Sequence, residues 1–219
     1  MEQKINEIRE ILQAADLSEL PAFISTYEKD LRTGVGVLVA KARKKIQEYE
    51  KEIARTEKMK EFEKKYSSFS YICGIDEVGR GPLAGPVVAG AVILKKDCDI
   101  LYLNDSKQLS EKKREELYDV IMEKAVSTGL GLVSPERIDE INILNATYEA
   151  MRQAIGELKQ APDLLLNDAV TIPQVTIKQV PIIKGDAKSI SIAAASIIAK
   201  VTRDRLMVQY DTVYPEYGF

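Results

Sequence analysis

The 219-residue chain contains no histidine. This excludes Ser-His-Asp and Cys-His catalysis, and any His-ligated zinc, iron or copper centre within it. Its two cysteines, Cys73 and Cys98, are too few for a four-cysteine zinc or iron–sulfur site and define no disulfide framework. A metal would therefore be held mostly by oxygen, which favours a hard cation, Mg²⁺ or Mn²⁺. Excess charge is lacking too: 31 Lys and Arg stand against 34 Asp and Glu, a net −3. That balance argues against a bulk electrostatic nucleic-acid binder, although it leaves room for a local basic groove. The longest apolar run, residues 87–94, falls far short of the ~20 residues of a membrane span. The opening MEQKINEIRE has no apolar signal core. A cytoplasmic chain with reduced cysteines and no membrane partner is expected.

What is present divides in two. Residues 1–68 read as a small all-helical region, and residues 69–219 as an α/β domain. Ile5, Ile8, Ile11 and Leu12 recur at helical spacing, and Ser18 is placed to cap a second helix that tolerates Pro21 near its start. Residues 37–66 form a long charged helix with a narrow apolar stripe of Leu38, Ile46, Tyr49, Ile53 and Phe62. Between residues 41 and 65, ten Lys or Arg face six Glu. This surplus could screen phosphates of a polyanion, but a solvated face laced by Glu–Lys pairs is the favoured reading. From residue 71 the texture becomes short β-rich runs, predicted at 71–76, 87–94, 129–133, 163–167 and 179–183. Helices are predicted at 111–127, capped by Ser110, at 144–159 and at 187–210. A hairpin followed by alternating helices and strands implies a mixed sheet covered on both faces.

The densest chemical signal is GIDEVGRGPLAGP, where the adjacent carboxylates Asp76 and Glu77 close an apolar strand before a glycine- and proline-rich loop around Arg80. Neighbouring strand residues point to opposite faces, so the two can share one site only if the strand ends or bends there. An exposed strand end is the commoner explanation of an isolated Asp-Glu pair, and the surrounding glycines weigh against it. Asp168 follows three leucines, where a buried strand would emerge at the sheet edge; a turn-forming Asn-Asp pair is equally compatible. Asp186 precedes a helix as either an N-cap or a metal-site acid. Asp204, between Arg203 and Arg205, reads as a solvated ion pair, and the run from Ala193 to Ser196 as close helix-on-sheet packing. Ser106 and Lys107 in a polar turn, with Lys184, Lys188, Ser189 and Lys200 around the last helix, are phosphate-binding candidates. Carboxylates clustered in space would repel unless divalent cations neutralised them. Such a cluster suits two-metal phosphoryl chemistry, which needs no histidine as base.

At these residues the sequence resembles bacterial ribonuclease HII, the type 2 ribonuclease H family. The matching pieces are GIDEVGRGPLAGPVVAGAVIL, NDSKQLS, LLLNDAV, KGDAKSISIAAASIIAKVTRDR and YPEYGF. The helical N-terminal region is similar to the extension of some Firmicute members. The resemblance implies a ribonuclease H-like five-stranded mixed sheet flanked by helices. It also implies a metal-dependent endonuclease, using Mn²⁺ or Mg²⁺, that cuts the RNA strand of RNA–DNA hybrids and nicks at ribonucleotides embedded in duplex DNA. Asp76, Glu77, Asp168 and Asp186 match the family's metal-site acids. Gly79, Arg80 and Gly81 match the loop that reads the ribose 2′-OH, the group that distinguishes RNA from DNA. Ser106, Lys107, Lys184 and Ser189 fall where phosphate contacts are expected. The sister family, ribonuclease HIII, lacks this arginine-bearing loop and carries a β-rich N-terminal domain, so ribonuclease HII is the better match.

Family members continue past YPEYGF into a segment resembling NKGYGTKEH, with a stacking tyrosine, and then a C-terminal helix. This sequence stops at Phe219, so it reads as C-terminally truncated, with weak activity or weak junction specificity expected. The competing reading is a non-catalytic hybrid- or duplex-binding module. A Mg²⁺-dependent nucleotide hydrolase is disfavoured because no phosphate loop is present. The expected state is a monomer.

Overall fold

The computed structural model describes residues 3–219. The chain packs as two compact units, Met1–Arg55 and Thr56–Phe219. In the first, α1 (Ile5–Ala14), α2 (Leu20–Tyr27) and the start of α3 (Thr33–Met59) enclose Ile8, Leu12, Leu20, Phe23, Val35, Leu38, Val39 and Ala42. The cap before α2 differs from expectation. Ser18 lies inside a short 3₁₀ turn, Leu17–Glu19. Asp16 precedes that turn, and its backbone N–H donates to the Glu19 carboxylate at 2.8 Å. Asp and Glu three residues apart satisfy an orphan helix donor as a Ser cap would. Along α3, exposed Lys44 pairs with Glu48 one turn on, as a solvated face predicts, whereas the Arg55–Glu52 pair is part-buried.

In the second unit, Met59 and α4 (Glu61–Lys65) precede the sheet, whose strands are β1 (Ile72–Val78), β2 (Val87–Ile93), β3 (Ser127–Val133), β4 (Leu164–Asp168) and β5 (Lys178–Ile182). Their spatial order is β3-β2-β1-β4-β5. β1 pairs antiparallel with β2 and parallel with β4; β3 joins β2 antiparallel, and β5 joins β4 parallel. The packing boundary falls earlier than the change of texture near residue 71. Phe62, Tyr66 and Phe69 pack on Leu164, Leu166, Ile182 and Ile192, all within this unit.

Two helical layers cover the sheet. α6 (Pro135–Gly156) lies over Cys73, Ile75, Ala89 and Ala91 through Ala146, Ala150, Met151 and Ala154. On the other face lie α5 (Glu111–Lys124) and α7 (Ile190–Val213), joined through Leu117, Ile121, Ala193, Ala194 and Ile197. The expected helix at 144–159 begins earlier because two helical segments meet at Asn142, whose φ is +66°. Both layers sit on strand positions that lack side chains. A Cβ on Gly131 would fall 1.9 Å from the Ala150 carbonyl oxygen, and one on Gly74 2.1 Å from the Ser191 carbonyl carbon. The small-residue run of α7 is thus matched by glycine beneath it, and the helix axis lies close to the strands.

Candidate active site

The register of the sheet places the first three acids. Parallel pairing of β1 with β4 ends at Ile75 opposite Asn167, so the next residues, Asp76 and Asp168, end up beside each other on adjacent strands. The antiparallel ladder with β2 continues through Asp76, Glu77 and Val78. β1 therefore does not end at the acidic pair, contrary to the condition expected for them to share a site. Instead its edge opens on the β4 side alone. Asp76 lies on the α7 face, two residues from Gly74, and is only 6 % exposed. Burial and the neighbouring charges of Glu77 and Asp168 push its carboxyl well above the ordinary range, against a hydrogen bond from Ser196. Burial also raises Glu77; Arg80 opposes that shift and Asp168 adds to it. The Arg80 guanidinium stands 3.8 Å from the Glu77 carboxylate.

Asp186 reaches this sheet end through a 3₁₀ turn, Gly185–Ala187. The Gly185 N–H donates to Asp168 Oδ1 at 2.7 Å, fastening the turn to β4. Asp186 is raised by partial burial and by the charges of Asp105 and Asp168, and lowered by Lys107. Asp168 thus acts on the other three acids, and Asp105 adds its charge at Asp186. Among the described residues, no three Asp, Glu or Cys side chains stand ready-made to hold an ion. Like charges explain this: Asp76 Oδ1 accepts from the Glu77 N–H, Asp168 turns to Gly185, and Glu77 leans towards Arg80. The donor set nevertheless fits hard divalent cations, since every candidate ligand is oxygen and the repulsion among them is what a cation relieves.

The loop after β1 is built from within. Gly79 has φ +96°, and a Cβ there would meet the Pro86 carbonyl oxygen at 2.4 Å. Its glycine is required by the fold. Gly81 is exposed with nothing within 4 Å of a built Cβ, so no packing demand explains it. Arg203, which the sequence reading joined to Asp204, is instead buried. It donates through Nε to the Pro86 carbonyl at 3.0 Å and through Nη2 to the Ala84 carbonyl at 2.8 Å. Asp204 pairs with Lys200 and Arg114, and Arg205 with Glu115.

The phosphate-binding candidates separate. Lys107 and Lys184 are exposed. Lys184 adopts φ +57°, in the left-handed region. Ser106 and Ser189 are buried, with their hydroxyls engaged inside the fold. Ser106 Oγ and Ser196 Oγ share a hydrogen bond at 3.0 Å. Ser189 Oγ donates to Glu63 Oε1 at 2.6 Å and accepts the Ile192 N–H at 3.3 Å. Ser189 is therefore an internal helix cap and presents no free hydroxyl to a duplex. Sequence reasoning missed Ser196, Arg203, Asp105 and Glu63. For Ser196 a signal existed: a hydroxyl interrupts an apolar run on a helix that must cover the acidic strand.

The family pattern described as Ribonuclease HII matches residues 73–219, and that of its N-terminal domain matches residues 4–67. A ribonuclease HII of Lachnoclostridium phytofermentans is 63% identical over 219 residues, which are 100% of this chain and 86% of that protein. One from Clostridioides difficile is 54% identical, again over 100% of this chain and 86% of the relative. Among solved structures, the ribonuclease H2 of Pyrococcus horikoshii superposes with a TM-score of 0.59 at 32% identity, covering 67% of this chain and 78% of that one. With a five-stranded mixed sheet, acids at one end of its central strands and a helical N-terminal region, this chain belongs to the ribonuclease HII family and is a nuclease.

Proposed function

We propose that the chain is an endonuclease that hydrolyses the RNA strand of RNA–DNA hybrids and nicks duplex DNA at embedded ribonucleotides. Residues 69–219 carry the chemistry in this reading, and residues 1–68 form a helical extension. The observation that carries it is the register: the β1–β4 pairing sets Asp76 beside Asp168, with Glu77 next in sequence and Asp186 fastened to Asp168 through Gly185.

Asp76, Glu77, Asp168 and Asp186 would hold Mn²⁺ or Mg²⁺. Such ions, when bound, supply activation of the attacking water and charge stabilisation of the leaving oxygen. The remaining work belongs to the chain. Buried Asp76 is kept dry by α7 and oriented by Ser196 and the Glu77 N–H. Arg80 and Lys107 bring positive charge to the acidic centre, as a phosphodiester approaching carboxylates requires. Gly81 offers open backbone on which a ribose 2′-OH can be read at close range. Lys107 and Lys184 are the exposed cations placed to meet the phosphate backbone. Ser106 and Ser189 take part only from beneath, by fixing α7 and its preceding turn. In this reading the chain is a monomer in the cytoplasm, where Cys73, its thiol pushed up to about 12 by burial, is unreactive.

The test is nicking of a duplex bearing one ribonucleotide, with and without Mn²⁺. Wild-type protein is expected to nick 5′ or 3′ of that ribonucleotide only when metal is present, and Asp76→Asn to bind the duplex without cutting it. If the wild-type chain retards the duplex on a gel yet never cuts it with Mn²⁺, the chain is a binding module.

A further inference from the structure

The turn that carries Asp186 is held at both ends. At its start, the Gly185 N–H donates to Asp168 Oδ1 at 2.7 Å. At its end, the Ser189 N–H donates to the Gly185 carbonyl at 2.8 Å, closing the turn onto the first residue of α7's cap. Ser189 is held in turn by a residue more than a hundred positions earlier: Glu63 Oε1 accepts from both Ser189 Oγ, at 2.6 Å, and the Ser191 N–H, at 3.0 Å. Glu63 lies on α4, which Phe62 and Tyr66 anchor to Leu164, Leu166, Ile182 and Ile192. One carboxylate thus grips the N-terminal turn of α7, where a negative charge is also favoured by the helix dipole.

Stability alone is a poor account of this contact. Glu63 Oε2 is buried with no hydrogen-bond partner among the described residues. An unsatisfied buried oxygen costs on the scale of a lost hydrogen bond, so the side chain is retained at some expense to the fold. Residues that break a local rule in this way cluster where geometry matters to function. The two bonds made by Oε1 fix the one element that joins Asp186 to α7.

We propose that Glu63 is a positioning residue for the metal site: by holding Ser189 and Ser191 it sets the place of the Asp186 turn relative to Asp168. The last helix of the segment matched by the N-terminal-domain pattern is then a working part of the nuclease. This inference rests on the reading of Asp186 as an ion-holding acid. Partners hydrogen-bonded directly to metal ligands typically change affinity by roughly 10–100-fold when removed; Glu63 acts at one further remove, through Ser189 and Gly185, which sets the expected effect at the lower end.

The experiment compares the wild-type chain with Glu63→Ala, Glu63→Gln and Asp186→Asn. Two readouts are taken: calorimetric titration with Mn²⁺ alone, and kcat and KM for nicking the single-ribonucleotide duplex. Glu63→Ala is expected to weaken Mn²⁺ binding roughly 10-fold and to lower kcat with KM for the duplex unchanged. Glu63→Gln keeps an oxygen that accepts both bonds and is expected to restore both quantities towards wild type. Wild-type Mn²⁺ affinity and kcat in Glu63→Ala, or a Gln variant as impaired as the Ala variant, would overturn the proposal. Unchanged Mn²⁺ affinity in Asp186→Asn sinks the assignment of Asp186, and the inference with it. Weakened binding in Asp186→Asn beside wild-type binding in Glu63→Ala sinks the role of Glu63 alone.

Discussion

Replacing Gly74 by alanine tests the closeness of α7 to β1, on which the position of the whole acidic centre depends. A Cβ at residue 74 would lie 2.1 Å from the Ser191 carbonyl carbon, 2.2 Å from its oxygen and 2.3 Å from the Ile192 nitrogen. All three are backbone atoms, so no side chain can swing aside. Ordinary contact begins near 3.4 Å, which requires the first turn of α7 to retreat from the strand by about 1.3 Å. Overpacking of this kind costs about 1–3 kcal/mol. At roughly 2–4 °C per kcal/mol for a chain of this size, Tm should fall by about 2–12 °C. The same retreat carries Ser189 away from Glu63 and tilts the Asp186 turn away from Asp76. A misplacement near 1 Å can cost up to ~100-fold in rate, so kcat/KM for nicking should drop between about 10- and 100-fold. Calorimetry and the embedded-ribonucleotide assay measure the two effects. Gly81→Ala is the steric control: nothing lies within 4 Å of its Cβ, so its Tm should match wild type. Wild-type melting and cleavage in Gly74→Ala would refute the claim that α7 rests on the β1 backbone.

Three further outcomes are expected. Asp76→Asn should raise the Tm of the metal-free protein at neutral pH by roughly 2–8 °C, the equivalent of about 1–2 kcal/mol, because burial and the charges of Glu77 and Asp168 disfavour the ionised carboxyl on folding and the neutral amide escapes that penalty; a lower Tm counts against it. Arg203→Met, which strips the Ala84 and Pro86 carbonyls of their charged donor, should cost about 2–4 kcal/mol and speed amide exchange across residues 79–86; unchanged exchange there would show that the loop holds itself. In the N-terminal unit, hydrogen bonds from Arg32 lower the Asp30 carboxyl from 3.8 to about 2. The stability this lends is complete above the unfolded value and disappears as pH falls through about 2. A small Tm difference between wild type and Asp30→Asn should therefore be present at pH 6 and gone below pH 2; a difference that grows in acid would reverse the sign.

β1, β2 and β4 were legible as short apolar runs, and LLLND marks its own edge by passing from leucine through asparagine to carboxylate, whereas β3 (STGLGLV) and β5 (KQVPI) carry polar residues and mark themselves less clearly. Asp76, Glu77 and Asp168 stood out as carboxylates closing apolar strands, whereas Asp186 showed itself only as an acid just before a helix. What escaped is what depends on pairing. Nothing in the local sequence of β1 says that its partnership with β4 stops one residue short of Asp76 while that with β2 runs on. Ser189 and Arg203 looked like surface groups because Ser-before-helix and Arg-beside-Asp are common on surfaces. Only the packing of α7 shows that one caps a helix from inside and the other ties down the loop at Ala84 and Pro86. The boundary near residue 68 followed composition, whereas Met59, Phe62 and Tyr66 belong by contact to the sheet-bearing unit. Charged helices hide such anchors, since one aromatic per turn is too sparse to register as an apolar face.

The mixed pairing of β1 has a bearing on how the protein comes to be. Its antiparallel neighbour is the next strand along the chain, so Asp76 and Glu77 can be in place once a single hairpin has closed. Its parallel neighbour lies some ninety residues downstream, beyond two helices and another strand. Contacts that distant are the slow ones to form. On the proposal that Asp76, Glu77, Asp168 and Asp186 hold the ions, a nascent or partly melted molecule has two of the four acids together and no cutting power, which arrives only once β4 and the turn ahead of α7 have docked.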